Sequence, residues 1–117
     1  MADMESSDLE KRSELLRDLA SYDIAQSTQA LLDLTFDDPD RLWLEDLLLR
    51  TLDDDSVDPQ LHSIAVTCMG HLGLRRGQIS GRIVTRLRGL LADPDLGGIA
   101  EDALGDIQDH AVMVQRQ

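Results

Sequence analysis

The chain has 117 residues, a formal net charge of -12 at pH 7 and one cysteine. This length favours a single domain over residues 1–117 with a modest core. The acidic balance argues against binding of nucleic acid, because affinity for phosphates comes from Lys and Arg side chains that release counterions. Basic proteins are therefore the expected partners, and the single cysteine excludes an internal disulfide.

No targeting or membrane segment is predicted. Residues 1–8 are acidic and lack the basic flank and the apolar run of a secretory signal. No apolar stretch approaches the length needed to cross a bilayer. These features predict a cytoplasmic protein without membrane partners. Cys68 lies on the apolar side of a predicted helix and is expected to be a buried small hydrophobe rather than a reactive thiol.

Six amphipathic helical segments are predicted, in three consecutive pairs. The pairs cover about residues 6–36, 37–77 and 78–110. In the last two pairs an acidic turn separates the helices, since Asp and Pro favour chain reversal and Asp caps the helix that follows. Residues 111–117 form a tail that is expected to fray.

The fourth predicted helix has the clearest boundaries. Asp58 stands at its N-cap, and Pro59 stands in the first turn, where proline is tolerated. Gly73 and Gly77 are expected to end the helix. The pattern therefore predicts a helix from about Pro59 to Leu74.

Residues 64–72 and 99–107 form an internal repeat, 35 positions apart. Isoleucine, alanine and glycine recur at the same offsets, and residues 30–34 supply a degraded third copy of the end of the phrase. A period of this length is typical of stacked helical units. The sequence therefore predicts an all-α fold, a short right-handed α-solenoid of about three helix pairs.

The order of several short motifs carries a family resemblance over nearly the whole chain. These motifs are Ser21-Tyr22-Asp23, Gln29-Ala30-Leu31-Leu32-Asp33, Trp43, Gly70-His71-Leu72 and residues 101–107. The pattern resembles HEAT repeats, and in particular the short bacterial HEAT-like proteins found beside polymorphic or contact-dependent toxins. This resemblance implies an immunity protein that binds and neutralises a cognate toxin. Gly105, where an acidic residue would be expected, departs from the pattern.

Catalytic and metal-binding motifs are absent from the sequence. His62 and His71 are nine positions apart on one helix, which places them on opposite sides and prevents them from sharing a metal. The acidic turn at residues 53–58 lacks the glycine and the distal glutamate of a calcium loop. There is no CxxC, HExxH or phosphate-binding glycine motif. We therefore expect no metal, no cofactor and no enzymatic activity.

Charge is segregated along the chain. Residues 59–92 contain no Asp or Glu, but they hold five arginines: Arg75, Arg76, Arg82, Arg86 and Arg88. The favoured interpretation is that these arginines bridge to neighbouring acidic layers, since surface charges are usually solvated or paired locally. The alternative is that they contact carboxylates or phosphates of a partner.

The two repeat copies differ on the side that would line the concave surface of a solenoid. In the middle copy this side is small and uncharged: Ser63, Val66, Thr67 and Gly70. In the last copy it is acidic: Glu101, Asp102, Gly105 and Asp109. One interpretation is a groove for a basic helix or loop. The other is that the small residues let a further helix approach closely.

Two smaller features have both a structural and a functional interpretation. Asp33, His71 and Asp106 occupy equivalent repeat positions and are expected to close a structural hydrogen-bonded column, and a pH switch at His71 is the alternative. Trp43 is expected in the core, and an interface anchor is the alternative.

The leading hypothesis is a non-catalytic, monomeric protein that neutralises a basic toxin domain by direct binding through acidic residues. The predicted partner-binding residues are Asp37, Asp38, Asp40, Asp54, Asp55, Asp58, Glu101, Asp102 and Asp109. The alternative is a HEAT-like scaffold or adaptor that joins other proteins or forms homo-oligomers. Such a dimer would form through the apolar face of residues 9–34.

Overall fold

A computed structural model describes residues 4–114. Over that range the chain forms six α-helices and two short β-strands. In chain order the elements are α1 (Ser6–Leu19), α2 (Ile24–Asp37), α3 (Arg41–Asp53), α4 (Pro59–Arg76), β1 (Gln78–Ser80), α5 (Gly81–Gly89), α6 (Gly97–His110) and β2 (Val112–Val114). The prediction of an all-α chain is confirmed for the helices, and the two strands were not predicted.

Aspartates determine where three of the helices begin. Asp23, Asp40 and Asp58 occupy the N-caps of α2, α3 and α4, and each side chain accepts a hydrogen bond from a backbone amide of the first turn. The predicted start of α4 is thereby confirmed. Its end is confirmed at Gly77, which adopts the left-handed conformation with φ 73°. The predicted stop at Gly73 is wrong, because Gly73 lies inside α4.

Helix α4 lies at the centre of the molecule. It packs against α2, α3 and α6, while α1 packs against α2 and α5 against α6. Its fully buried side chains include Val66, Cys68, Met69 and Leu72. They join leucines of α2 and α3 and the apolar residues of α5 and α6 in one continuous core.

Two glycines of α4 allow α6 to approach closely. A Cβ atom on Gly70 would lie 2.8 Å from the Cα of Ala103, and one on Gly73 would lie 2.8 Å from the Cγ1 of Ile107. Val66, on the same side of α4, is fully buried. The predicted neutral groove is therefore wrong in the middle copy, where the small residues make room for a neighbouring helix.

The strands join the third helix pair to the end of the second. β1 and β2 are parallel, with Gln78 opposite Val112 and Ser80 opposite Val114. Ile79 in β1 is fully buried. The predicted fraying after His110 is therefore wrong for residues 112–114. Residues 115–117 of the predicted tail lie outside the described residues.

The arginine-rich block is paired mainly with the preceding acidic layer. Arg82 donates to Glu45 (3.2 Å) and to Asp46, and Arg86 donates to Asp53 (2.9 Å). Arg76, in α4, donates to two backbone carbonyls at the end of α2. Arg75 stacks on Phe36 at 4.8 Å from the ring centroid. The favoured interpretation, that these arginines bridge to neighbouring acidic layers, is confirmed for Arg82 and Arg86. Arg75 and Arg76 contact the preceding layer through an aromatic ring and backbone carbonyls instead, and Arg88 is exposed.

Candidate binding cleft

The nine predicted partner-binding residues lie in three separate places. Three lie at the α2–α3 turn, three at the α3–α4 elbow and three on α6. The first two groups flank opposite ends of α3, whose 13 residues separate them by about 20 Å. The structure does not bring the nine together, so each group is described by its own contacts.

At the α2–α3 turn the aspartates are engaged in structural contacts. Arg12 donates to both carboxylate oxygens of Asp38, at 2.7 and 2.9 Å, and Asp38 is buried. These hydrogen bonds raise the pKa of Arg12 above its ordinary value. Asp37 pairs with Lys11 at 3.0 Å, and Asp40 caps α3. The prediction that Asp38 is available to a partner is wrong, because Arg12 encloses its carboxylate.

On α6 the predicted residues Glu101, Asp102 and Asp109 are all exposed. They stand on the side of α6 that corresponds to the buried side of α4. The chain places no further helix of residues 4–114 against this side, where Gly105 has open space. Charged side chains suit such an outer face, since a terminal helix of a stack needs a polar surface for solubility.

The α3–α4 elbow, residues 54–58, is the third acidic place. Asp54 accepts hydrogen bonds from the hydroxyl and the backbone amide of Ser56, which lower the pKa of its carboxyl. Asp58 caps α4 by accepting from the amide of Gln60 at 2.8 Å. Asp54, Asp55 and Asp58 are all exposed. This elbow therefore presents three carboxylates in a turn that the hydrogen bonds of Asp54 and Asp58 stabilise.

Next to this elbow a cleft opens between α1 and α3. The two helices meet where the Arg12 guanidinium stacks on Trp43, 3.8 Å from the ring centroid. Beyond that contact, toward the elbow, they enclose a cleft of about 510 Å³. Its apolar walls are Leu16, Leu19, Trp43, Leu47, Val57 and Leu61. The prediction that Trp43 belongs to the core is confirmed in part, since the ring packs against the core and also lines this surface cleft. Its role as an interface anchor stays a prediction.

The cleft continues around the end of α1 into a second depression of about 460 Å³. Both share Leu19, Ala20, Val57 and Leu61, and the second adds Tyr22 and Asp58. Tyr22 is fully exposed, which is unusual for an aromatic ring beside an apolar groove. We call the two depressions together the elbow cleft.

The surroundings of the elbow cleft are predominantly acidic. Asp54 and Asp58 line the two depressions, and Asp55 lies between them in the elbow. Asp18 and Asp23 lie at the end of α1 and at the start of α2, while Arg17 and Arg50 stand in the last turns of α1 and α3. An apolar segment that carries positive charge therefore suits this cleft.

The predicted column across the repeats is not formed. The Asp33 carboxylate accepts from the side-chain amide of Gln29 at 2.9 Å. The His71 ring packs against Phe36, with centroids 5.8 Å apart. The three positions are equivalent in sequence, but the His71 ring and the Asp33 carboxylate use nearer partners.

The Cys68 thiol is expected to be inert in the folded chain. Burial raises its pKa from an ordinary value of 9.0 to about 11. At pH 8 its thiolate is therefore about 100-fold scarcer than that of an unperturbed cysteine. A thiol reagent such as DTNB should react slowly with the native protein and rapidly with the protein unfolded in about 6 M guanidinium chloride. Equal rates in both states would contradict the burial.

Comparisons with known proteins return no family model, no curated protein and no solved structure that matches the chain. Among residues 4–114, no helix combines the length and hydropathy required to cross a bilayer. In the same range no three His, Cys, Asp or Glu side chains are grouped so that they could hold a metal ion.

Proposed function

We propose that this chain is a non-catalytic protein-binding module that neutralises a basic protein domain by direct contact. The observation that carries the proposal is the elbow cleft, where an apolar surface adjoins three exposed carboxylates of one rigid elbow. Apolar contact supplies binding energy, and the carboxylates select positively charged partners and speed their approach.

The proposal extends to architecture and biological role. The repeated phrase and the packing of α4 against both α2 and α6 support a short HEAT-like solenoid in which the second helix of each pair stacks on the next. The resemblance to toxin-associated HEAT-like proteins supports an immunity protein as the role. The partner would then be a basic toxin domain, held in the cytoplasm by a monomer.

The elbow aspartates are expected to contribute more to partner binding than the α6 acids. In the triple variant Asp54→Asn/Asp55→Asn/Asp58→Asn the three charges are lost, but the side-chain acceptors that shape the elbow and cap α4 remain. Its affinity for the partner should fall about tenfold or more, mainly through a lower association rate. Surface plasmon resonance against the product of the gene immediately upstream measures both rates.

A matched control removes the same number of charges from α6. The variant Glu101→Gln/Asp102→Asn/Asp109→Asn has the same net charge as the elbow variant, but its changes lie away from the elbow cleft. We expect a loss of about threefold or less, because only the long-range field changes. Equal losses in both variants would contradict binding at the elbow, and no binding by the wild type would contradict the choice of partner.

A scaffold role is the second candidate function. Leu91 and Met113 are exposed and line a depression of about 530 Å³ between α5 and α6. Such a patch is typical of an association surface. The dimer predicted through residues 9–34 is unsuitable, because Leu31 and Leu34 are fully buried. Light scattering that gives twice the chain mass of 13.0 kDa without any partner would favour the scaffold.

A further inference from the structure

We propose that the elbow cleft binds one amphipathic helix of the partner, with its apolar side chains between α1 and α3 and its Lys or Arg side chains against the elbow carboxylates. This inference rests on the proposed function and names the kind of segment that occupies the site. Three properties of the cleft support it: the chemistry of its walls, the state of the surrounding backbone, and its charge.

The walls fit aliphatic side chains. Leu16, Leu19 and Leu47 face the opening together with one side of Trp43, and the depression is open to solvent along its length. A volume of about 510 Å³ lies within the range of surface sites that bind apolar groups. An amphipathic helix presents such groups in a single row, at positions i, i+3, i+4 and i+7.

The backbone around the cleft favours a helix over an extended strand as the occupant. The cleft is walled by α1, α3, the first turns of α2 and α4, the α1–α2 turn and the elbow. Amides inside a helix already donate to carbonyls of the same helix. The β1–β2 pair lies on another part of the chain, beside α4 and α5. An occupant must therefore satisfy its own backbone hydrogen bonds, and a helix does so.

The charge around the elbow cleft determines which charged side chains the bound helix should carry. Asp54 lines the first depression and Asp58 the second. Asp18 lies in the last turn of α1, Asp23 caps α2 and Asp55 lies in the elbow. Arg50 also lines the cleft, but its Nε donates to the carbonyl of Asp46 at 3.3 Å, within α3. The carboxylates outnumber the cations, so a helix flanked by Lys or Arg is preferred to one flanked by Glu.

Trp43 provides a direct reporter, since it is the only tryptophan of the chain. The probes are two synthetic amphipathic peptides of about 14 residues, or four helical turns. Both have the same leucine row, and one carries Lys where the other carries Glu. We expect the Lys peptide to shift Trp43 emission to shorter wavelength and reduce its quenching by acrylamide. The Glu peptide should do neither.

Two variants of α1 locate the binding. Ala20 is exposed and lines both depressions, so Ala20→Arg fills the opening and adds positive charge without removing core contacts. Leu9→Arg places the same residue on an exposed position of the same helix, away from the cleft walls. Affinity for the Lys peptide should fall about tenfold in Ala20→Arg and change less than about twofold in Leu9→Arg. Circular dichroism verifies that both variants are folded.

The outcomes separate this inference from the proposed function. If both variants bind the Lys peptide equally, the peptide adheres to the acidic surface in general and the inference is overturned. If the upstream protein depends on the elbow aspartates but not on Ala20, the proposed function stands and the helix does not enter the cleft. If the Lys peptide binds as expected but the upstream protein does not, the cleft is supported and the proposed partner is wrong.

Discussion

Glu45→Ala is expected to lower the free energy of unfolding by about 3–5 kcal/mol, the typical cost of removing one partner from a buried ion pair. The Glu45 side chain is fully buried and accepts from Arg41, from Arg82 and from the backbone amide of Ser80 at 3.1 Å. Without it, the partly buried Arg41 guanidinium loses its counter-charge, Arg82 keeps only Asp46, and the Ser80 amide loses its acceptor. The contacts that join α3 to β1 and α5 would be weakened.

Guanidinium unfolding followed by circular dichroism at 222 nm measures this effect. Glu101→Ala is the matched control, since it removes an exposed glutamate from a helix and should change stability by less than about 0.5 kcal/mol. Glu45→Gln should fall between the two, because the amide keeps an acceptor but loses the charge. A Glu45→Ala protein as stable as the control would show that the buried network contributes nothing.

Gly70 and Gly105 should respond to alanine in opposite directions, although they occupy the same position of the repeated phrase. In Gly70→Ala the new methyl group meets the Ala103 backbone at 2.8 Å, so α6 must move away from α4. We expect a loss of about 1–3 kcal/mol from overpacking. Gly105 faces open space, and Gly105→Ala should gain about 0.5–1 kcal/mol because alanine is the better helix former.

Both variants can be compared in one set of thermal or denaturant unfolding experiments. The pair is its own control, since the same chemical change is made at the same offset of two related helices. Destabilisation of both would indicate that the α6 surface is covered by a second molecule. Stabilisation of both would contradict the close α4–α6 contact.

Most of the helices could be predicted because their signals are local. The apolar period, the aspartate N-caps and the left-handed Gly77 each depend on a few neighbouring residues. Gly73 shows where local reasoning fails. From the sequence, Gly73 is predicted to end the helix. In the structure, its missing side chain leaves space for Ile107 of α6, some thirty positions later in the chain.

Long-range contacts account for the features that the sequence did not reveal. Glu45 and Asp46 are adjacent acidic residues of one helix, but only Glu45 is enclosed by arginines. In the sequence, nothing distinguishes Asp38 from other turn aspartates, because its partner Arg12 lies 26 positions earlier in the chain. Strand β1 forms only by pairing with β2, which lies more than thirty residues later in the chain.

The candidate site was predictable in part. The acidic elbow is visible as a run of aspartates, and its exposed carboxylates lie where the sequence placed them. The apolar cleft was not visible, because Leu16 and Leu19 have the spacing of ordinary core positions. Their partial exposure arises from the way α1 diverges from α3 beyond the Arg12–Trp43 contact.

Because β1 pairs with β2, the two ends of the described chain should unfold differently: the third helix pair opens as one unit, whereas α1 can open by itself. The strands enclose α5 and α6 in a closed segment whose ends are both tied to the end of α4. Opening the third helix pair therefore requires breaking the strand pairing as well as the α4–α6 contact. Helix α1 is held through α2, through the Arg12 contacts and through the partly buried Leu15, Leu16 and Leu19, but no strand pairing ties it to another element of residues 4–114. We therefore expect α1 to detach as the smaller unit. Its movement would widen the elbow cleft around a bound segment while the rest of the core stays intact.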